Sequence, residues 1–318
     1  MKKFFTSLIC FVLALTLSAC AKTSTSTKKN GLHIVTTNFP AYDFARAIVS
    51  NQGSVTMLLK PGQESHDYDP TPQDIIRIEK ADIFVYTGGE SDTWVKKVLK
   101  SIHNDTLITI RMMDYVSLYK EKTIEGMQDH HDHDHNHNHG HADEYDEHIW
   151  TDPKNVMKII SNMETIFTKA DSNNKQHYQE NAKQYQDKLT KLDLEFQSTV
   201  SKGSRKVILF GDRFPFRYFV ESYKLNYYAA FSGCSIESDA DAKTIAFLVD
   251  KVRKERIPVV FHIELSKDDI ATTISKETGA KVLLFHSVHN ISKDDFKANK
   301  TYIDFMKQNV VNLKEALQ

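Results

Sequence analysis

Residues 129–153 read DHHDHDHNHNHGHADEYDEHIWTDP, and the change of character inside this stretch decides how the chain is divided. His130, His131, His133, His135, His137, His139 and His141 alternate with Asp, Asn and Gly, a composition that cannot bury a core and stays solvated. So many neutral imidazoles offer weak sites to a borderline metal ion. His148 is of another kind. It stands beside Ile149 and Trp150 and just before Thr151, Asp152 and Pro153, where the chain re-enters a fold, so it is read as a fixed ligand at the end of a histidine-rich loop over 125–147.

Outward from this loop, short apolar runs alternate with amphipathic segments on both sides. Before it, strands are expected at 32–36, 55–59, 82–87 and 107–110, with helices at 40–50, 71–80 and 92–102. After it, 153–170 is helical, and 175–200 is a long charged segment with Tyr178, Tyr185, Leu189, Leu192 and Phe196 spaced along it. A second series follows: strands at 206–210, 226–231, 258–263 and 280–285, helices at 216–223, 240–254 and 268–278, and a final helix from 296 to the end. The expected fold is α/β, with two lobes (31–172 and 204–318) joined by a linking helix over 173–203. A ligand then sits in the cleft between lobes, where strand carboxyl ends converge.

The first 30 residues are a different region. Lys2 and Lys3 precede an apolar run from Phe4 to Leu17, and Leu17-Ser18-Ala19-Cys20 is a small-residue cleavage site. Residues 1–19 read as an export signal, and Leu-Ser-Ala-Cys resembles the lipobox of bacterial lipoproteins, which implies lipidation at Cys20 and a polar tether over 20–30. The remaining thiol, Cys234, leaves no disulfide framework. The chain has 318 residues and a formal net charge of −1, without the basic excess that nucleic-acid binding needs.

Outside the run, three histidines stand on loops beside regular elements of both lobes: His66 in PGQESHDYDP, His148, and His286 in LLFHSVHN. Loops of both lobes are what a cleft metal site draws on. The fourth position stays open among His289, Glu264, Asp212, Cys234 and a water. Asp212 beside Arg213 and Arg217 reads equally as a structural ion pair, and Cys234 as a small buried residue.

With these residues in place, the sequence resembles the metal-binding lipoproteins of bacterial zinc and manganese ABC importers. The resemblance rests on the lipobox, the loop at 62–70, the acidic and histidine insertion, His-x-Trp-x-Asp-Pro at 148–153 and Glu-Thr-Gly-Ala-Lys-Val at 277–282. It implies two lobes on a rigid helix, a buried cleft site, and delivery of the ion to a membrane permease driven by a separate ATPase. It implies a protein anchored by lipid to the outer face of the cytoplasmic membrane, acting as a monomer. Two departures stand out. The family usually places a third histidine after the first strand of the second lobe, where this chain reads LFGDRF (209–214) with Gly211 at the expected imidazole, and His286 stands where an aspartate is usual.

Three imidazoles with at most one oxygen ligand suit zinc, whereas manganese recruits more carboxylates. A secreted zinc hydrolase is the rival reading, but no His-Glu-x-x-His helix occurs. A surface adhesin with an incidental cleft metal is the other, since fold alone does not fix function.

Overall fold

Ile34, Val35, Ile83, Phe84 and Val85 are all fully buried, and burial on both faces is what a parallel sheet covered by helices requires. These residues come from β1 (Leu32–Thr36) and β3 (Ile83–Tyr86), which pair with β2 (Gly53–Met57) and β4 (Ile108–Arg111) in the order β2-β1-β3-β4, all parallel. The computed structural model describes residues 31–64, 68–128, 145–233, 235 and 239–318. The residues expected to form the export signal and tether, with Cys20, and also His66, Cys234 and the seven histidines of the run, lie outside the described residues. Gly31–Gln318 forms one compact unit.

The crossovers are α1 (Phe39–Val49), α2 (Pro72–Glu79) and α3 (Val95–Ser101). Asn38 caps α1 by accepting from the Ala41 amide, and Thr71 and Asp74 form a reciprocal capping box on α2 with Pro72 in the first turn, which is how these sequences fix where a helix begins. The helix expected at 92–102 is shorter, because a 3₁₀ turn at Glu90–Asp92 precedes it.

After the histidine run, Asp152 caps α4 (Pro153–Ala170), and α5 (Lys175–Lys202) follows. Along α5 the buried apolar residues are Tyr178, Ala182, Tyr185, Leu189, Leu192, Phe196 and Val200, steps of three and four that make one apolar stripe on a charged helix. Each fully buried large side chain contributes roughly 1.5–3 kcal/mol. Asp43 on α1 ties this helix to the chain's end: its Oδ2 accepts from the Tyr185 hydroxyl at 2.8 Å and the Tyr302 amide at 3.0 Å.

The second sheet has β5 (Val207–Phe214), β6 (Asn226–Ser232), β7 (Val259–His262) and β8 (Lys281–Leu284) in the order β6-β5-β7-β8, again parallel. Its helices are α6 (Arg217–Tyr223), α7 (Ala242–Glu255), α8 (Asp269–Thr278), α9 (Lys293–Lys297) and α10 (Tyr302–Leu317). Two expectations are corrected here. β5 runs four residues past its expected end, with a register shift between Phe210 and Arg213. The single terminal helix is two, because Asn299 turns left-handed at φ 54° and Thr301 starts a new capping box with Asp304. Among the described residues, no helix is long and apolar enough to cross a membrane.

Both sheets reverse their strand order at one point, between β1 and β3 and between β5 and β7. The loops leaving those strands are where an open parallel sheet leaves a crevice.

Candidate metal centre

The segment that follows the histidine run is buried from its second described residue. Tyr145 forms an isolated antiparallel bridge with Lys120, and Asp146, Glu147, His148, Ile149, Trp150 and Thr151 are all buried. The loop expected over 125–147 is therefore narrower at its end, because Asp146 and Glu147 belong to the folded body. Asp146 orients His148 twice: its Oδ1 accepts from the His148 amide at 2.8 Å and lies 3.0 Å from Nδ1. That contact leaves Nε2 as the nitrogen to ligate. Burial is the largest influence on this imidazole and lowers its pKa, but the Asp146 charge and hydrogen bond, with Glu147 and Glu121, turn the net shift upward.

Glu147 is held from the first lobe. Its Oε2 accepts from the Ser91 amide at 2.9 Å and its Oε1 from the Ser91 hydroxyl at 2.5 Å. Gly89 makes this approach possible, since a Cβ there would stand 2.2 Å from that of Glu147. Asp92 fixes the same turn by accepting from the Thr87 and Gly88 amides at 2.7 and 3.0 Å. Burial, against these hydrogen bonds, pushes its carboxyl up to about 7.

His289 enters from the second lobe, after β8. Val288 before it has φ 62°, a strained conformation for a β-branched residue. Glu264, after β7, holds the turn: its carboxylate accepts from the Ser287 amide and hydroxyl, each at 2.7 Å, and from the His289 amide at 3.2 Å. Desolvation pushes this carboxyl up to about 7 in spite of those bonds. Trp150 binds the two sides together, its Nε1 donating to the Ser287 carbonyl at 2.7 Å.

The result is one group in which Glu147, His148 and His289 each offer a ligand atom, all within 4.8 Å of one another. A cavity of about 20 Å³ adjoins it, lined by Glu64, His148, Arg213, Gly233, Glu264 and His289 among others, with room for one water-sized occupant. Two imidazoles and a carboxylate are a donor set for zinc-like ions, with a fourth position to be filled.

His148 and His289 are brought together, but His286 is not part of this group. The His286 ring packs 4.7 Å from that of Phe305, its amide donates to Asn309, and burial pushes its pKa down to about 4. Asp212 is not an ion pair with Arg217. Its Oδ2 accepts from the Ile263 amide at 3.0 Å and from the Ser266 hydroxyl, its Oδ1 from the Arg213 amide at 2.7 Å, and Arg217 pairs with Glu221 instead. Burial raises its pKa above the usual value. Gly211 faces α8, since a Cβ there would lie 2.6 Å from the Ala271 Cα, so the residue of β5 that lines the cavity is Arg213. Glu264 supports the site through Ser287 and His289. His66 and Cys234 lie outside the described residues, although the segment before His66 is fixed: the Asn290 amide group donates to the Lys60 and Gln63 carbonyls, both at 2.8 Å.

Sequence reasoning missed Glu147 and Arg213. Glu147 hides in an acidic run that composition assigns to solvent, and its only signal is that Ile149 and Trp150 follow at once. Arg213 sits in a stretch, Gly211 to Arg213, that reads as a turn beyond the strand expected at 206–210.

The family described as zinc-uptake complex component A, periplasmic (ZnuA), matches residues 34–316. The chain is 33% identical over 312 residues to the high-affinity zinc uptake system protein ZnuA of Bacillus subtilis, covering 97% of this chain and 95% of that one. It is 30% identical over 309 residues to the zinc-binding lipoprotein AdcA of Streptococcus pneumoniae, covering 97% of this chain and 60% of AdcA, so it spans little more than half of that protein. The crystal structure of the Zn(II)-bound ZnuA-like domain of the pneumococcal AdcA superposes with a TM-score of 0.74 at 27% identity, over 90% of this chain and 99% of that domain. With a match that runs from β1 into the last helix, the chain belongs to the ZnuA family.

Proposed function

We propose that this protein captures Zn(II) outside the cytoplasm and delivers it to an ABC permease driven by a separate ATPase. The observation that carries this reading is the group of Glu147, His148 and His289, three buried ligand-type side chains from one loop of each lobe whose donor atoms lie within 4.8 Å of one another. His66 is proposed as the fourth ligand, on a loop whose near end is pinned to the second lobe by Asn290. The similarity to zinc-binding relatives supports zinc as the cargo, and a donor set of imidazoles with one carboxylate favours it over manganese. Lipidation at Cys20 holds the protein at the outer face of the membrane, and the run over 129–141 gathers ions loosely, because ordering a solvated segment around an ion costs entropy that a preformed cleft does not incur.

The test is a zinc titration of the purified protein against a chromophoric chelator, with and without residues 129–141. One tight equivalent retained in the deletion, with additional weak equivalents lost, is the expected result. Loss of the tight equivalent on deletion, or no tight zinc in the intact protein, would overturn the reading.

A further inference from the structure

The cavity beside the ligand group contains a permanent cation. Arg213 stands near the end of β5, past the register shift, with its side chain 12% exposed. A guanidinium does not lose its proton under any condition a protein survives. Its Nη2 donates to Glu64 Oε2 at 3.2 Å and its Nη1 reaches the Ser235 carbonyl at 3.5 Å. Glu64 lines the same cavity as His148 and His289. It cannot swing far away, because its segment is stitched to the second lobe by Asn290 and by the Gly62 amide donating to the Ile291 carbonyl at 2.8 Å.

Two other carboxylates compete for a bound ion. Glu147 belongs to the ligand group, whereas Glu264 is committed to Ser287 and His289 backbone and hydroxyl hydrogens. Glu64 lines the cavity but stands outside the ligand group, and its ion pair with Arg213 bears on whether its carboxylate can turn to the ion. Ions such as Mn(II) gain most from an added carboxylate, because they prefer octahedral oxygen-rich surroundings, while Zn(II) is satisfied by four mixed ligands.

Resting on the metal-capture reading above, we propose that Arg213 determines the cargo's identity by holding Glu64 as an ion pair and so withholding a second carboxylate from the metal. Repulsion between the guanidinium and the cargo weakens every divalent ion alike, so the ratio of manganese to zinc affinity isolates the donor effect from simple charge.

The experiment is a competition titration of zinc and manganese on the full chain carrying Arg213→Met, Glu64→Gln, or both. In Arg213→Met the affinity for manganese relative to zinc should rise by about tenfold, the size of one added charge-assisted contact. Glu64→Gln alone should leave the wild-type ratio, and the double variant should return to it. An unchanged ratio in an Arg213→Met protein with wild-type circular dichroism overturns the proposal, as does a double variant that keeps the raised ratio. Should Arg213→Met not fold, Arg213→Gln takes its place with the same two readings, and a lowered manganese affinity in Glu64→Gln shows that Glu64 already ligates and overturns the proposal. A wild-type protein without tight zinc would instead remove the metal-capture reading itself.

Discussion

Glu147 Oε1 and His289 Nε2 face each other at 3.9 Å across the two lobes. That gap is too long for a direct hydrogen bond, but two ligand atoms each about 2.1 Å from one shared ion can be at most about 4.2 Å apart. The pair lies inside that limit, and reaching the roughly 3.4 Å of two tetrahedral ligands takes an approach of about half an ångström. Replacing His148 or His289 with Ala should weaken zinc binding at least a hundredfold, roughly 3 kcal/mol, while His286→Leu should change it less than about threefold. Chelator competition on the three variants checks this, and a large loss in His286→Leu would show that the sequence-based trio, not this group, holds the ion.

Ser91 positions Glu147 with its amide and its hydroxyl. Groups that orient a metal ligand typically govern affinity by about 10–100-fold. Ser91→Ala keeps the amide contact, so the loss should sit near tenfold, with an unchanged melting temperature in the absence of metal. Calorimetric titration beside a thermal melt separates the two effects.

His286 should make the metal-free protein acid-sensitive. Its pKa falls from 6.5 to about 4 on folding, with burial as the main cause. Above pH 6.5 it is neutral in both states and contributes nothing. As pH falls below 6.5 the unfolded chain takes up the proton first, so stability declines until about pH 4, by on the order of 2 kcal/mol after allowance for partial exposure. Denaturant melts of His286→Leu should show a flatter decline between those limits than the parent.

Gly211→Ala should destabilise the fold by about 1–3 kcal/mol, since the new methyl meets the Ala271 backbone at 2.6–2.7 Å. Chemical denaturation measures it. An imidazole at that position is excluded by the same contact, which leaves the cavity side of the strand to Arg213.

Much of this arrangement is legible in the sequence because burial leaves a period. The run at 82–87 announces a two-sided strand, and the three-and-four spacing from Tyr178 to Phe196 announces the one buried stripe of a charged helix. The end of β5 is not legible, because Gly211, Asp212 and Arg213 look like a turn until Ala271 and the Ile263 amide supply their partners from distant sequence. The choice between His286 and His289 is hidden for the same reason. Three residues separate them, and which imidazole turns to the cleft depends on the left-handed Val288 and on Glu264, 25 residues before His289.

Trp150 donates to Ser287 at the join of the two lobes, and its ring centre lies 4.9 Å from that of His289 and 5.5 Å from that of His148. The chain's other tryptophan, Trp94, packs instead on Tyr68 and Phe84. The indole at the join is thus an optical gauge built into the protein. Its emission should change when an ion binds the neighbouring imidazoles, so occupancy can be followed by light without attaching a label.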